Sequence, residues 1–155
     1  MKQVRILFVC HGNICRSTMA EYVMKDLVER AGLTSQFVID SAATSREEIG
    51  NLPHRGTRRV LEANGIACGD HRARQIRRSD GDQWDFIVGM DSANIRNIRN
   101  ALGQAAQGKV YKLMEFTGCT DDVADPWYTG DFETTFDDVY AGCTALLAFC
   151  RKGLQ

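Results

Sequence analysis

Val4, Ile6, Leu7, Phe8 and Val9 form a short, nearly unbroken apolar run that stops at Cys10-His11-Gly12-Asn13. Such a run predicts a strand buried on both faces. From Ser17 the apolar residues Met19, Ala20, Val23, Met24, Leu27 and Val28 recur at helical spacing up to Gly32, with Ser17 or Thr18 at the N-terminus and Glu21 in the first turn. Phe37-Val38-Ile39 reads as a second strand, followed by a polar turn over Asp40 to Ser45 and a loop to Pro53. A helix from about His54 to Asn64 is closed by Gly65. Phe86 to Met90 is the third strand, and Asp91 or Ser92 caps the helix carrying Ile95, Ile98 and Leu102. Val110 to Met114 is the fourth strand, and a loop from Glu115 to Gly130 leads to a last helix. On that helix Phe132, Phe136, Val139, Tyr140, Cys143, Leu146, Leu147 and Cys150 share one broad face. Strands alternating with helices predict a small doubly wound α/β domain, with four parallel strands flanked by helices. Ligands of such folds lie at the carboxyl ends of the strands.

Composition narrows this picture. A chain of 155 residues, 44% hydrophobic, fits one domain over residues 1–155. Lys and Arg number 19 against 20 Asp and Glu, which gives no global attraction to nucleic acid or an anionic membrane. No apolar run approaches the ~20 residues of a membrane span, and the first residues lack the long apolar core of a signal peptide. The expected compartment is the cytoplasm, where the six cysteines are thiols. The basic cluster Arg55, Arg58, Arg59, Arg72, Arg74, Arg77 and Arg78 is interspersed with acidic residues and reads as a solvated face.

The chemistry lies in Cys10-His11-Gly12-Asn13-Ile14-Cys15-Arg16-Ser17, between the first strand and the first helix. Backbone N–H groups of such a loop and the positive end of the following helix can surround an oxyanion. Gly12 permits close backbone approach, and Asn13 tolerates positive φ. Arg16 offers a guanidinium fork for two phosphate oxygens, and the same cationic field favours the thiolate of Cys10. Nucleophile and anion site thereby coincide. Neither nucleotide-binding glycine pattern, Gly-x4-Gly-Lys-Ser/Thr or Gly-x-Gly-x-x-Gly, occurs. The three histidines and scattered cysteines show no zinc-ligand spacing, so no metal or cofactor is expected.

At these residues the chain resembles the low-molecular-weight protein tyrosine phosphatases. The resemblance is carried by Val9-Cys10-x-Gly12-Asn13-Ile14-Cys15-Arg16-Ser17, by Asp40-Ser41-Ala42-Ala43-Thr44, by Gly89-Met90-Asp91-x-x-Asn94 and by Asp125-Pro126-Trp127. It implies metal-free hydrolysis of phosphotyrosine, on a protein or a small aryl phosphate, through phosphocysteine. Inorganic phosphate or another oxyanion would occupy the loop. By the same resemblance Cys10 is the nucleophile, Arg16 the phosphate clamp and Asp125 the general acid, while Asn13, Ser17, Ser41 and His71 support the loop. The phosphate-binding segment runs from His11 through Gly12, Asn13, Ile14, Cys15 and Arg16 to Ser17, and Cys15 is implied as a redox partner of Cys10.

Chemistry supports Asp125 independently, because a departing phenolate needs a proton that a thiolate cannot supply, and the same carboxylate can then deprotonate the attacking water. Pro126 restricts the backbone there, and Trp127 and Tyr128 offer flat walls for an aromatic leaving group. Three positions depart from the family pattern. His11 replaces a small or apolar residue, Thr18 replaces proline, and Glu47 stands where an aromatic wall of the cleft is common. Ile14 resembles the tyrosine-directed branch, whereas the related arginine phosphatases carry Thr. The alternatives are a phosphoarginine phosphatase, an arsenate reductase of the same fold using Cys143 and Cys150, a phosphate-carrying transfer domain of sugar uptake, and a phosphopeptide binder. Residues seven apart on an apolar helical face are expected as packing rather than as a redox pair.

Overall fold

The computed structural model describes residues 2–153. Its sheet contains β1 (Val4–Cys10), β2 (Phe37–Ala43), β3 (Phe86–Gly89) and β4 (Val110–Lys112), all parallel, in the order β2-β1-β3-β4. The helices are α1 (Arg16–Arg30), α2 (Arg55–Ala63), the single turn α3 (Asp80–Gln83), α4 (Ser92–Leu102), the short α5 (Pro126–Thr129) and α6 (Phe132–Gly153). None of the described helices is long and apolar enough to cross a membrane.

Alternation along β1 divides the core. Ile6, Phe8 and Cys10 face a layer built by α1, α2 and α6, including Met19, Val23, Leu61, Val139 and Leu146. Leu7 and Val9 point the other way, onto Ile76, Trp84, Ile98 and Leu102. Both faces of the central strand are therefore covered, which is why its sequence from Ile6 to Val9 is continuously apolar. Cys10 pairs with Ala43, so β1 and β2 end at the same level and their loops adjoin.

Three boundaries and one core residue differ from the sequence reading. Asp40 to Ala43 continues β2 instead of turning, because each residue pairs with β1 up to Cys10. β4 stops at Lys112, and Leu113–Thr117 winds into a 3₁₀ turn that packs on α6. The segment from Glu115 to Gly130 is not wholly loop, since Asp125 caps α5 through its carboxylate and Pro126 occupies the first helical position. On α6 the face is as expected except Tyr140, which is exposed.

Candidate active site

β1 delivers Cys10 to the end of the sheet, and the following loop closes onto α1. The carbonyls of this loop are held from outside. Thr44 N–H donates to Cys10 O, Ser45 N–H to His11 O and His54 N–H to Ile14 O, at 2.8 to 3.0 Å, while the hydroxyls of Thr18 and Thr57 reach Cys15 O. In a trans peptide the next N–H points opposite to the carbonyl, so the amides after these carbonyls are directed toward the interior of the loop. Asn13 is the only described non-glycine residue at positive φ, 60°. That conformation lets the chain reverse inside so short a loop.

The N-terminus of α1 lacks the side-chain cap expected of Ser17 or Thr18: Cys15 holds the cap position and makes no capping bond. Both hydroxyls are used elsewhere. Thr18 reaches back to Cys15 O, and Ser17 Oγ lies 3.1 Å from Cys10 Sγ and accepts a hydrogen bond from Asn13 Nδ2 at 2.8 Å. The uncapped helix end therefore faces the thiol with its positive pole. Asn13 N–H also donates to Cys10 Sγ, at 3.3 Å.

Asn13 is fixed by a buried network. Its Nδ2 donates to Ser41 Oγ at 2.9 Å, and its Oδ1 accepts from Arg74 N–H at 3.2 Å and faces His71 Nε2 at 2.8 Å. An accepting amide oxygen requires His71 to carry its proton on Nε2. Ser41 in turn donates to Glu21, whose other oxygen receives Lys25. Glu21 is thus a buried base of the network and lies beyond the first turn of α1. Glu21, Asp40 and His71 bring three donor atoms within 4.8 Å of one another. Lys25 and Arg74 already face these carboxylates, so their charge is met by side chains of the fold itself.

Arg16 is almost fully buried. Its Nη1 donates to Asp91 Oδ2 at 2.8 Å and to Val123 O at 3.0 Å, and its Nη2 lies 3.5 Å from Asp125 Oδ2. Burial alone would lower its pKa, but Cys10, Asp91 and Asp125 outweigh this and push it above the ordinary arginine value. Asp91, readable in sequence as a helix cap, does two tasks: Oδ1 caps α4 through Asn94 N–H while Oδ2 orients Arg16. Asp125 Oδ1 accepts Trp127 N–H, which aims the other oxygen at Arg16.

Cys10, Arg16 and Asp125 border one cavity of about 170 Å³. His11, Gly12, Ile14 and Cys15 of the loop, Trp127 and Tyr128 of α5, and Glu47 and Glu48 of the segment after β2 complete its lining. Glu47 pairs with His11 Nε2 at 2.7 Å on the exposed rim. Ser17 and Asn13 sit beneath the cavity, and Ser41 and His71 lie one layer further out. His54, which carries no signature in sequence, contacts the loop, Trp127 and α6 at once.

The remaining cysteines are free. Burial, then the nearby Cys10, pushes the Cys15 thiol up to about 12. Cys143 is fully buried against Ala20 O, and burial raises Cys143 and Cys150 well above the thiol range. They pack the core. Arg59 pairs with Glu133 and Arg74 with Asp40 and Asp80, so these two of the seven arginines in the basic cluster are engaged within the fold.

The sequence profile of the family described as low molecular weight phosphotyrosine protein phosphatase matches residues 5–155. A low molecular weight protein-tyrosine-phosphatase of Bacillus subtilis, YfkJ, is 40% identical over 154 residues, 98% of this chain and 99% of its own. A Schizosaccharomyces pombe low molecular weight phosphotyrosine protein phosphatase is 43% identical over 142 residues, 90% of this chain and 89% of its own. The crystal structure of YfkJ superimposes with a TM-score of 0.95 at 39% identity, covering 100% of this chain and 99% of that one. An Entamoeba histolytica protein tyrosine phosphatase with Hepes in the active site does so with 0.91 at 30% identity, covering 99% and 100%. From loop, fold and relatives together, the chain belongs to the low molecular weight phosphotyrosine protein phosphatase family and is a protein-tyrosine phosphatase.

Proposed function

We propose that hydrolysis proceeds through phosphocysteine at Cys10, with Arg16 as phosphoryl clamp and Asp125 as general acid and then base. The observation that carries this reading is the convergence on one cavity of a thiol and a buried guanidinium from the loop after β1 with a carboxylate from a segment more than a hundred residues away. The phosphoryl oxygens of the substrate take up the loop amides from His11 to Ser17 and the guanidinium fork of Arg16. Arg16 shifts its weak contact with Asp125 to the ligand while Asp91 keeps it oriented. The Cys10 thiolate attacks phosphorus, the S–P bond forms as the P–O bond breaks, and protonated Asp125 gives its proton to the leaving phenolate oxygen. Water then attacks phosphorus, Asp125 accepts its proton, and the electron pair of the S–P bond returns to sulfur. Ser17, 3.1 Å from Sγ, donates to the thiolate as it departs, while Asn13 holds the Ser17 oxygen from the other side.

The substrate is a phosphotyrosine residue of a protein or a small aryl phosphate, with the ring beside Trp127 and Tyr128. Glu47, tied to His11, offers a polar rim where an aromatic wall is common in the family. Hepes in the Entamoeba relative is a sulfonate, which fits a loop that takes tetrahedral oxyanions. No step above calls for a metal ion, and the free thiols fit action in the cytoplasm as one domain. The test is turnover of para-nitrophenyl phosphate beside phosphotyrosine, phosphoserine and phosphoarginine peptides in EDTA. The expected result is hydrolysis of the aryl phosphate and the phosphotyrosine peptide alone; dependence on added metal or preference for phosphoarginine would contradict it.

A further inference from the structure

His54 lies where the phosphate loop, α2 and the aromatic wall meet. Its main-chain N–H donates to Ile14 O at 2.8 Å. Its Nδ1 accepts the N–H of Gly56 at 2.9 Å and so caps α2. The imidazole stacks on Phe132 at the start of α6, with centroids 5.0 Å apart and planes at 22°, and meets Trp127 edge to face at 6.0 Å and 81°. A β-carbon on Gly56 would come within 2.5 Å of the Phe132 ring, so it is the bare Gly56 that lets Phe132 close onto α2 beside the imidazole. Trp127 itself is 58% exposed, which makes His54 a principal support of its ring.

We infer that His54 is a positioning residue that sets Trp127 as the wall for an aryl leaving group, and thereby favours aromatic over non-aromatic phosphates. This rests on Trp127 bordering the cleft as described above. The arrangement requires a neutral ring, since an Nδ1 that accepts from Gly56 carries no proton. Burial, and then the adjacent Arg55, hold His54 below the ordinary histidine value, with Glu48 acting in the opposite sense. Arg59 lines the same hollow but is paired with Glu133 of α6. An imidazolium there would lose its bond to Gly56 and face the positive end of α2.

Two variants separate ring from cap. H54N keeps a side-chain oxygen that can accept from Gly56 but removes the ring; H54F keeps a ring beside Trp127 but removes the acceptor. Binding is read by competitive inhibition with benzylphosphonate, an aryl oxyanion, beside inorganic phosphate, which reports the loop alone. In H54N the benzylphosphonate constant is expected to weaken about two- to tenfold while that of phosphate holds within about twofold. In H54F both constants are expected to stay near wild type and the melting temperature to fall. Emission from Trp127 should also titrate below about pH 6.5 in the wild type and not in H54F, Trp84 being buried elsewhere. Unchanged benzylphosphonate binding in H54N, or equal loss for both inhibitors, would overturn the role of His54. A wild type that hydrolyses no aryl phosphate would instead overturn the site reading beneath it.

Discussion

Replacing Cys10 by Ser leaves an oxygen for the N–H of Asn13 but removes the thiolate, because a hydroxyl stays protonated at neutral pH. Turnover is expected to vanish while phosphate still binds; normal turnover would remove Cys10 as nucleophile. Arg16→Lys carries one point charge where the guanidinium reaches Asp91, Val123 O and Asp125 at once. Its rate should fall at least about a hundredfold, with weaker phosphate inhibition. Asp125→Ala tests leaving-group chemistry, since proton donation matters most to a phenolate whose conjugate acid has a pKa of ~10. Phosphotyrosine turnover should drop about 10²–10⁴-fold, and an activated nitrophenyl ester much less. At this scale the loop was legible, since Cys10, Gly12, Asn13, Arg16 and Ser17 are contiguous and each has a chemical reason for its place. Asp91 as the partner of Arg16, and Glu21 beneath Ser41, were not. Their contacts join residues 75 and 20 positions apart, and local pattern reports only the capping half of Asp91.

The segment that carries Asp125 is held as an element by a lysine. Lys112 Nζ at the end of β4 donates to Thr120 O at 2.7 Å, Asp122 Oδ1 at 2.9 Å and Ser92 Oγ at 3.3 Å, and Val123 N–H then bonds Met90 O. Lys112→Met removes this strap without touching the loop amides. It should lower the rate of aryl phosphate turnover, by up to about a hundredfold if Asp125 shifts by an ångström, while phosphate inhibition stays near wild type. An unchanged rate would show that Val123 and the α5 cap suffice. The four strands and the four longer helices followed from periodicity, but the single turns α3 and α5 and two strand ends did not. Asp40-Ser41 is polar and resembles a turn, yet it remains in β2 because Asp40 meets Arg74 and Ser41 meets Glu21 and Asn13. The end of β4 is set by Leu113 turning into the core against α6.

Across the molecule, close approach of α6 to the 3₁₀ turn after β4 depends on one missing side chain. A β-carbon on Gly142 would stand 2.5 Å from Leu113 Cγ, so Gly142→Ala should cost about 1–3 kcal/mol and lower the melting temperature by several degrees. An unaltered melting curve would mean that the helix slides freely. Stability toward acid depends on Asp80. Asp80 is fully buried, and although burial raises its pKa, hydrogen bonds from Arg74, Arg77 N–H and Trp84 bring it below the usual carboxylate value. A depressed folded pKa adds stability that is complete above the unfolded value of ~3.9 and lost as pH falls through the folded one. Asp80→Asn should therefore flatten the loss of stability below about pH 4, as read by denaturant unfolding across pH. Catalysis itself turns on a covalent bond between Cys10 sulfur and phosphorus. The most direct measurement is rapid acid quenching of the enzyme during turnover of a phosphotyrosine peptide, followed by mass mapping of the trapped phosphate. A phosphoryl group is expected on Cys10, accumulating further when Asp125 is replaced by Ala and an activated ester is supplied. Turnover with no covalent phosphate, or with phosphate on His11 or Ser17, would contradict it.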